Sequence, residues 1–502
     1  MSPLKHRAVA GSFIFKFPDD DTDRKPLVAL FRRSGKVNTY QHKYAPVSGS
    51  VEETDETPLA TAWRELHEET TLTGKSLRFF RQGKPYSFSD ESIGRTWTIN
   101  PFGFVLKSDK DGGLGEAGIK LDWEHEGYEW FDPDTVNESD EFEGVPRILE
   151  SLRRVWFNID LGEEAGKTLG RGLITLQTDH ESGARQLAPK ALDIFISVVR
   201  QLDIGARDQW WKNVRFAGWH LWKNGRESMG APILNAVLSS LSIIEKMLAP
   251  EPSVSASSVD EIVTALEEYA QDRRDAVSNI GASFETFVEQ QVPGDGPVKI
   301  LTLSSSSTIT SGITQALAKM ARPMEIRVLE SRPLFEGVKM AKAIAAFADE
   351  NKVKARLELY TDASVGVAAK GIDIVLIGAD LIDKKANVSN KTGSLPAVLT
   401  AKHVSPHAKI VALSEKEKVI PFPPLGHEDN DPQEVTQAWG DVAPSPQDES
   451  STQVTVKNIY FEWVPSVLID QYVTEDGITT SEGISQWAEE VRSRADKFFS
   501  GL

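Results

Sequence analysis

Apolar positions follow different rhythms along the chain. Ala8–Phe17, Leu27–Phe31 and Thr98–Leu106 are short apolar or alternating stretches between Gly, Pro and Asp clusters, which predicts strands. Among them, Leu59, Ala62, Trp63 and Leu66 share one face at helical spacing. From about residue 184 to 290 helical spacing dominates, as in Ile233, Ala236, Val237, Leu241, Ile244 and Leu248. Beyond Pro293-Gly-Asp-Gly-Pro297 the pattern changes again. Val298–Leu303, Glu325–Glu330, Arg356–Thr361, Ile372–Ile377 and Lys409–Leu413 are apolar runs separated by helical lengths, which predicts parallel strands with helices on both faces. Leu161–Lys167 reads as a linker, and Val145–Trp156 as a helix. Between Lys418 and Lys457 there is no Lys or Arg but seven Asp or Glu, with Pro and Ser, which predicts an exposed, mobile insertion.

Composition narrows the function classes. Lys plus Arg is 56 and Asp plus Glu 74, a net charge of −18, which argues against direct, sequence-independent nucleic-acid binding. The absence of Cys removes disulfides, thiolate zinc sites and a catalytic thiol, and suits a reducing compartment. No stretch reaches the roughly eighteen apolar residues of a membrane span. The N-terminus lacks a signal-peptide core, so a cytoplasmic protein without membrane association is expected. Trp210, Trp211, Trp219 and Trp222 cluster in the helical region and read as core.

The stretch Ser48–Leu72, SGSVEETDETPLATAWRELHEETTL, carries the first candidate chemistry. Thr57 is placed to cap a helix beginning at Pro58. Glu65, Glu68 and Glu69 then fall at i, i+3 and i+4, opposite the apolar face. Crowded carboxylates repel unless a cation neutralises them, and oxygen-only ligands favour Mg²⁺ or Mn²⁺. Taken alone, three glutamates are also what a solvated helix face looks like. The wider stretch resembles the Nudix box: Glu56 lies eight positions before Arg64, which is followed by Glu65-Leu66-His67-Glu68-Glu69-Thr70-Thr71-Leu72. Six residues rather than five separate Gly49 from Glu56, and Thr71 replaces the family's Gly. The resemblance implies a Nudix α/β/α sandwich over residues 1–160 and catalytic metal ligands or a base at Glu65, Glu68 and Glu69. It also implies a backbone carbonyl ligand at Gly49, supporting roles for Glu56 and Arg64, and hydrolysis of a nucleoside diphosphate linked to another group. Glu126–Pro133 looks like the strand and turn before that domain's last helix, and the acids from Asp122 to Glu143 are candidates for a further ligand.

In the last part of the chain, Ser304, Ser305 and Ser306 follow one predicted strand and Glu330-Ser-Arg-Pro333 another. Gly378-Ala-Asp-Leu-Ile382, Asn390-Lys-Thr-Gly-Ser394 and Asn458–Pro465 come further on. Serine hydroxyls and helix-start N–H groups suit a phosphate, though a serine run is also a common loop. In this order, the segments resemble the initiation factor 2B family, which includes regulatory subunits of the translation exchange factor and sugar-phosphate isomerases. The resemblance implies helices over 168–292, a Rossmann-like parallel sheet over 293–502 and a homodimer formed through this part. Asp380 matches the isomerases' catalytic Asp, with plain helix capping as the competing reading. Asn390 and Lys391 match substrate contacts, Arg332 lies in the family's Arg-Pro turn, and Arg226, ahead of Ser228 and Asn235, aligns loosely with an arginine that contacts phosphate. Where the isomerases carry a Cys, this chain has serine, a poor nucleophile without a base. The expectation is therefore a metal-dependent Nudix hydrolase fused to a module binding a sugar phosphate or nucleotide. The alternative is a translation regulator with a non-catalytic Nudix domain that meets exchange-factor subunits; an isomerase is less favoured.

Overall fold

A computed structural model describes residues 4–18, 25–179, 184–226, 230–248, 252–276, 279–422, 430–442 and 454–502 of an α/β chain. Its N-terminal unit contains β1 (Lys5–Lys16), β2 (Leu27–Arg33), β3 (Tyr44–Ala45), β4 (Val47–Ser50), α1 (Pro58–Thr70), β5 (Leu77–Gln82), β6 (Tyr86–Asp90), β7 (Arg95–Leu106), β8 (His125–Phe131) and α2 (Ile148–Arg153). These strands form one sheet along the path β3-β2-β1-β7-β5, with β4, β6 and β8 paired to it. β1 and β7 run parallel, whereas β1 and β2 run antiparallel. Alternation along β1 makes the layers: Ala10 and Ile14 pack with Ala62 and Leu66 of α1, and Phe13 and Phe15 with Ile148 and Leu152 of α2. The expected helix Val145–Trp156 is shorter because Arg147 takes a left-handed φ of 64° just before α2. Towards the start of β1, Arg7, Val9 and Gly11 line an open cavity instead.

The middle region contains α3 (Asn158–Leu161), α4 (Glu163–Thr178), α5 (Ala184–Gln201), α6 (Arg207–Asn224), α7 (Gly230–Met247), α8 (Ala256–Ala276) and α9 (Asn279–Gln291). Leu161–Lys167 is not a linker. The chain turns at Gly162, φ 80°, and enters α4 at once, burying Ala165, Leu169, Leu173 and Leu176. Trp210, Trp219 and Trp222 lie in the same core, with Trp211 packed against it.

The remainder contains β9 (Val298–Leu303), α10 (Ser307–Lys319), β10 (Met324–Leu329), α11 (Glu336–Asn351), β11 (Ala355–Tyr360), α12 (Val365–Ala368), β12 (Ile374–Ile377), β13 (Leu381–Ile382) and β14 (Val388–Lys391). Then follow α13 (Ser394–Val404), β15 (Lys409–Leu413), α14 (Pro432–Thr436), β16 (Phe461–Val464), β17 (Gln471–Thr474), β18 (Gly477–Thr479) and α15 (Ser481–Phe499). The main sheet has the order β11-β10-β9-β12-β15-β17-β18, parallel up to β17, with β18 antiparallel at the edge. From β9 the chain winds outwards through β10 and β11, then returns to β12 on β9's other side. That reversal opens a crevice at the carboxyl ends of β9 and β12. A small sheet, β13-β14-β16, stands apart from it.

Within the stretch read as an insertion, residues 423–429 and 443–453 lie outside the described residues, while Pro432–Thr436 is helical. Glu434 of that helix accepts hydrogen bonds from Asn458 Nδ2 at 2.8 Å and from the Tyr460 hydroxyl, so this part is tied to the body. Among the described residues, no helix is long and apolar enough to cross a membrane.

Candidate functional site

Helix α1 starts as its sequence dictates. Thr57 Oγ1 accepts from the Ala60 N–H at 3.2 Å, and Pro58 occupies the first turn. Of the three glutamates, Glu69 is 4% exposed, Glu65 14% and Glu68 55%. Glu65 lies against the backbone of Gly49, where an added Cβ would stand 1.9 Å from its Oε1; only glycine leaves room for the carboxylate. Glu69 meets His125 Nε2 at 2.6 Å. Burial, then repulsion from Glu65, Glu124 and Asp122, holds the Glu69 carboxyl well above its usual range, with Arg33 opposing. Burial likewise raises Glu65 against the pull of Arg64, and lowers the His125 imidazole to about 4.

Arg64 ties this helix to the preceding loop, but not through Glu56. Its Nε and Nη2 reach Asp55 at 3.2 and 3.0 Å, its Nη2 also reaches the Ser50 carbonyl at 3.2 Å, and Glu56 is exposed. Five residues separate Gly49 from Asp55, so the loop's extra residue falls after the acid rather than before it. Arg64 Nη1 also contacts Glu65 at 2.7 Å and Glu68 at 3.1 Å. Thr71 adopts φ 61°, the left-handed exit for which glycine is suited.

The three glutamates expected to converge do not close on one point: among the described residues, no three acidic or histidine side chains form a finished ligand set. The donor chemistry still fits a hard divalent ion. Glu65 and Glu69 are largely buried oxygen donors, the Glu65 charge raising the Glu69 carboxyl, and Gly49 supplies an adjacent cradle. Beside them opens a cavity of about 410 Å³ lined by Glu65, Glu124, Arg33, Tyr40, Phe88 and Trp97, among others. Trp97 Nε1 is buried there near the Tyr40 hydroxyl. The cavity therefore combines carboxylates, cations and flat aromatic surfaces.

The second site forms at the topological crevice. A Cβ on Gly378 would lie 3.3 Å from Asn390 Oδ1 and 3.4 Å from Ser306 Oγ, so these segments converge closely. Lys391 Nζ pairs with Glu336 at 2.6 Å and lies 4.3 Å from the Tyr460 ring centroid. Asn390 Nδ2 donates to Ser394 Oγ at 2.9 Å. Burial raises the Asp380 carboxyl and Glu336 adds to the rise, while Lys418, Lys391 and Arg226 oppose it. Lys418 itself donates to the Ala379 carbonyl at 2.7 Å and pairs with Glu415 at 3.2 Å. Ser306 Oγ caps α10 by accepting from the Ile309 N–H, and the Ser304 N–H donates to Ser331 Oγ at 2.7 Å. Ser305 and Arg332 are exposed, with the Arg332 guanidinium 5.5 Å from the Phe335 ring. Asn235 Nδ2 donates to the Glu417 and Val419 carbonyls at 2.8 and 3.1 Å; Ser228 lies outside the described residues.

Residues 181–481 match the model of the initiation factor 2 subunit family, and residues 6–152 match the NUDIX domain. The chain belongs to the initiation factor 2 subunit family. Within it, this member carries an N-terminal Nudix domain. A Pyrococcus furiosus protein described as translation initiation factor eIF-2B subunit 2-like is 26% identical over 209 residues, covering 42% of this chain and 64% of that protein. The methylthioribose-1-phosphate isomerase of Geobacillus kaustophilus is 28% identical over 201 residues, covering 37% and 52%. The chain thus spans less than two thirds of the length of either relative. A solved tetrameric eIF2B-beta2-delta2 complex from C. thermophilum aligns with TM-score 0.48 at 16% identity, over 67% of this chain and 98% of that one.

Several residues of this family member's sites were missed in the sequence. Asp55 was visible by counting from Gly49, and Glu124 lay within the acid-rich stretch. Nothing local marked His125, Arg33 or Glu336, which reach their partners through β8, β2 and the start of α11.

Proposed function

We propose that the Nudix domain hydrolyses a nucleoside diphosphate derivative with Mg²⁺ or Mn²⁺. The observation that carries this reading is Glu65 seated against the Gly49 backbone, with the buried Glu69 one turn on, at the edge of a cavity with cationic and aromatic walls. Glu65, Glu69 and, once released from Arg64, Glu68 would hold the ion, with the Gly49 carbonyl beside them. A bound divalent ion supplies Lewis acidity and lowers the pKa of an attacking water. Arg33 and Arg7 favour anionic phosphates, while Trp97 and Phe88 offer faces to a planar ring. Asp55 and Ser50 hold Arg64 so that its contacts with Glu65 and Glu68 need not be its sole anchor. A cytoplasmic location is part of the proposal.

The test is a screen of nucleoside diphosphate derivatives with Mg²⁺, with Glu65→Gln and Glu68→Gln beside the wild type. Removing a metal ligand or base should lower kcat on the order of 10²–10⁴-fold. No turnover of any substrate, or turnover untouched by both substitutions, would sink the reading.

For the C-terminal part, the convergence of Ser306, Gly378, Asp380, Asn390 and Lys391 supports a site for a sugar phosphate or nucleotide, within a homodimer. With serine in place of a thiol, isomerisation is not proposed. A second reading, a translation regulator whose Nudix domain is non-catalytic, is favoured by the contacts of Arg64 with Glu65 and Glu68. Capture of exchange-factor subunits by the full chain would support it, and failure to capture them would count against it.

A further inference from the structure

Of the cations around the C-terminal crevice, Lys391, Lys418 and Arg226 are already engaged. The Lys391 side chain is only 2% exposed, pairs with Glu336 Oε2 at 2.6 Å and rests 4.3 Å from the Tyr460 ring. Lys418 is held by the Ala379 carbonyl and Glu415. Arg226 Nη1 donates to the Asp179 carbonyl at 2.8 Å. Arg332 stands exposed at Phe335.

Glu336 is not a surface side chain that has swung in by chance. It opens α11, and the next residue, Gly337, packs so tightly on β10 that a Cβ there would lie 1.9 Å from the Leu329 carbonyl oxygen. The Gly337 N–H also donates to the Glu330 carbonyl at 3.1 Å. The backbone carrying Glu336 is therefore fixed at the carboxyl end of a sheet strand, with the carboxylate directed at Lys391. A tethered carboxylate competes with free anions at an effective concentration of about a millimolar or more.

We propose that Glu336 is the resident anion of the C-terminal crevice: it occupies Lys391 from within the chain and weakens the hold on phosphate monoesters, which bind there only by displacing it. This rests on the reading of the crevice as a phosphate-type site.

The test is calorimetric titration of the full chain with inorganic phosphate and with ribose 5-phosphate, comparing wild type, Glu336→Gln, Lys391→Met and Glu336→Gln/Lys391→Met. Thermal unfolding checks that each variant is folded. The expected result is at least tenfold tighter binding of ribose 5-phosphate by Glu336→Gln, with the gain lost when Lys391 is also replaced. If the wild type binds as tightly as Glu336→Gln and Lys391→Met abolishes binding, the crevice is a phosphate site but Glu336 does not guard it. If all four chains are folded and none binds, both the guard and the phosphate-site reading fall. A gain in Glu336→Gln that survives loss of Lys391 would also overturn the proposal.

Discussion

At the scale of single residues, the Nudix site depends on how Arg64 is shared. Its guanidinium meets Asp55 on one side and Glu65 and Glu68 on the other. Removing the Asp55 charge leaves the arginine to the glutamates, where it opposes the ion they would bind. Asp55→Asn should therefore lower Mg²⁺-supported kcat on the order of tenfold to a hundredfold, the scale of a small misplacement in an active site. Glu56→Gln should change it less than twofold. Steady-state kinetics on both variants checks the assignment, and equal losses would restore Glu56 to the supporting role. The sequence placed the three glutamates on one helix, but not how deeply each is buried. That depends on Gly49 and His125, which α1 meets only through the fold.

At the scale of elements, α1 begins in a favourable way and ends in a strained one. Thr71 holds φ 61° with a β-branched side chain, whose Oγ1 makes only a long 3.4 Å contact with the Gly118 carbonyl. Thr71→Gly should raise stability by about 1 kcal/mol, the left-handed penalty less the added freedom of the unfolded glycine. A higher urea midpoint followed by Trp fluorescence would show it; a lower midpoint would mean that the threonine has packing value outweighing the strain. Five of the seven strands of the main C-terminal sheet are legible to within a residue or two because parallel strands read as apolar runs, whereas β17 and β18 are not. The Leu161–Lys167 stretch was misread because its glycines and glutamates look polar, although Ala165 begins the buried stripe of α4.

At the scale of the whole molecule, the Nudix domain and the helical region share a buried junction. Asn224 behaves as an extra strand residue for the edge of β5: its Oδ1 accepts from the Gln82 N–H at 2.7 Å and its Nδ2 donates to the Gln82 carbonyl at 2.9 Å. Nearby, Arg81 is fully buried between the rings of Phe80 and Phe157, and burial pushes its guanidinium down to about 9. Asn224→Ala would strand both backbone groups of Gln82 and should cost about 2–4 kcal/mol. Scanning calorimetry should then show a lower midpoint, and an unchanged one would mean that the junction carries little stability. α15 joins the helical region to the C-terminal sheet, with Val491, Ala495, Phe498 and Phe499 in the helical core and Ile484 and Ala488 in that of the sheet.

The sequence by itself determined the local features: strand and helix rhythms, the capped glutamate helix, and the segments that follow the sheet strands. These depend on residues a few positions apart, whose periodicity and capping chemistry are written in order along the chain. Only the tertiary structure decided which charges meet. Asp55 against Arg64 and Lys391 against Glu336 pair charges from differently placed segments, while Glu69 against His125 brings together two groups whose charged forms burial disfavours.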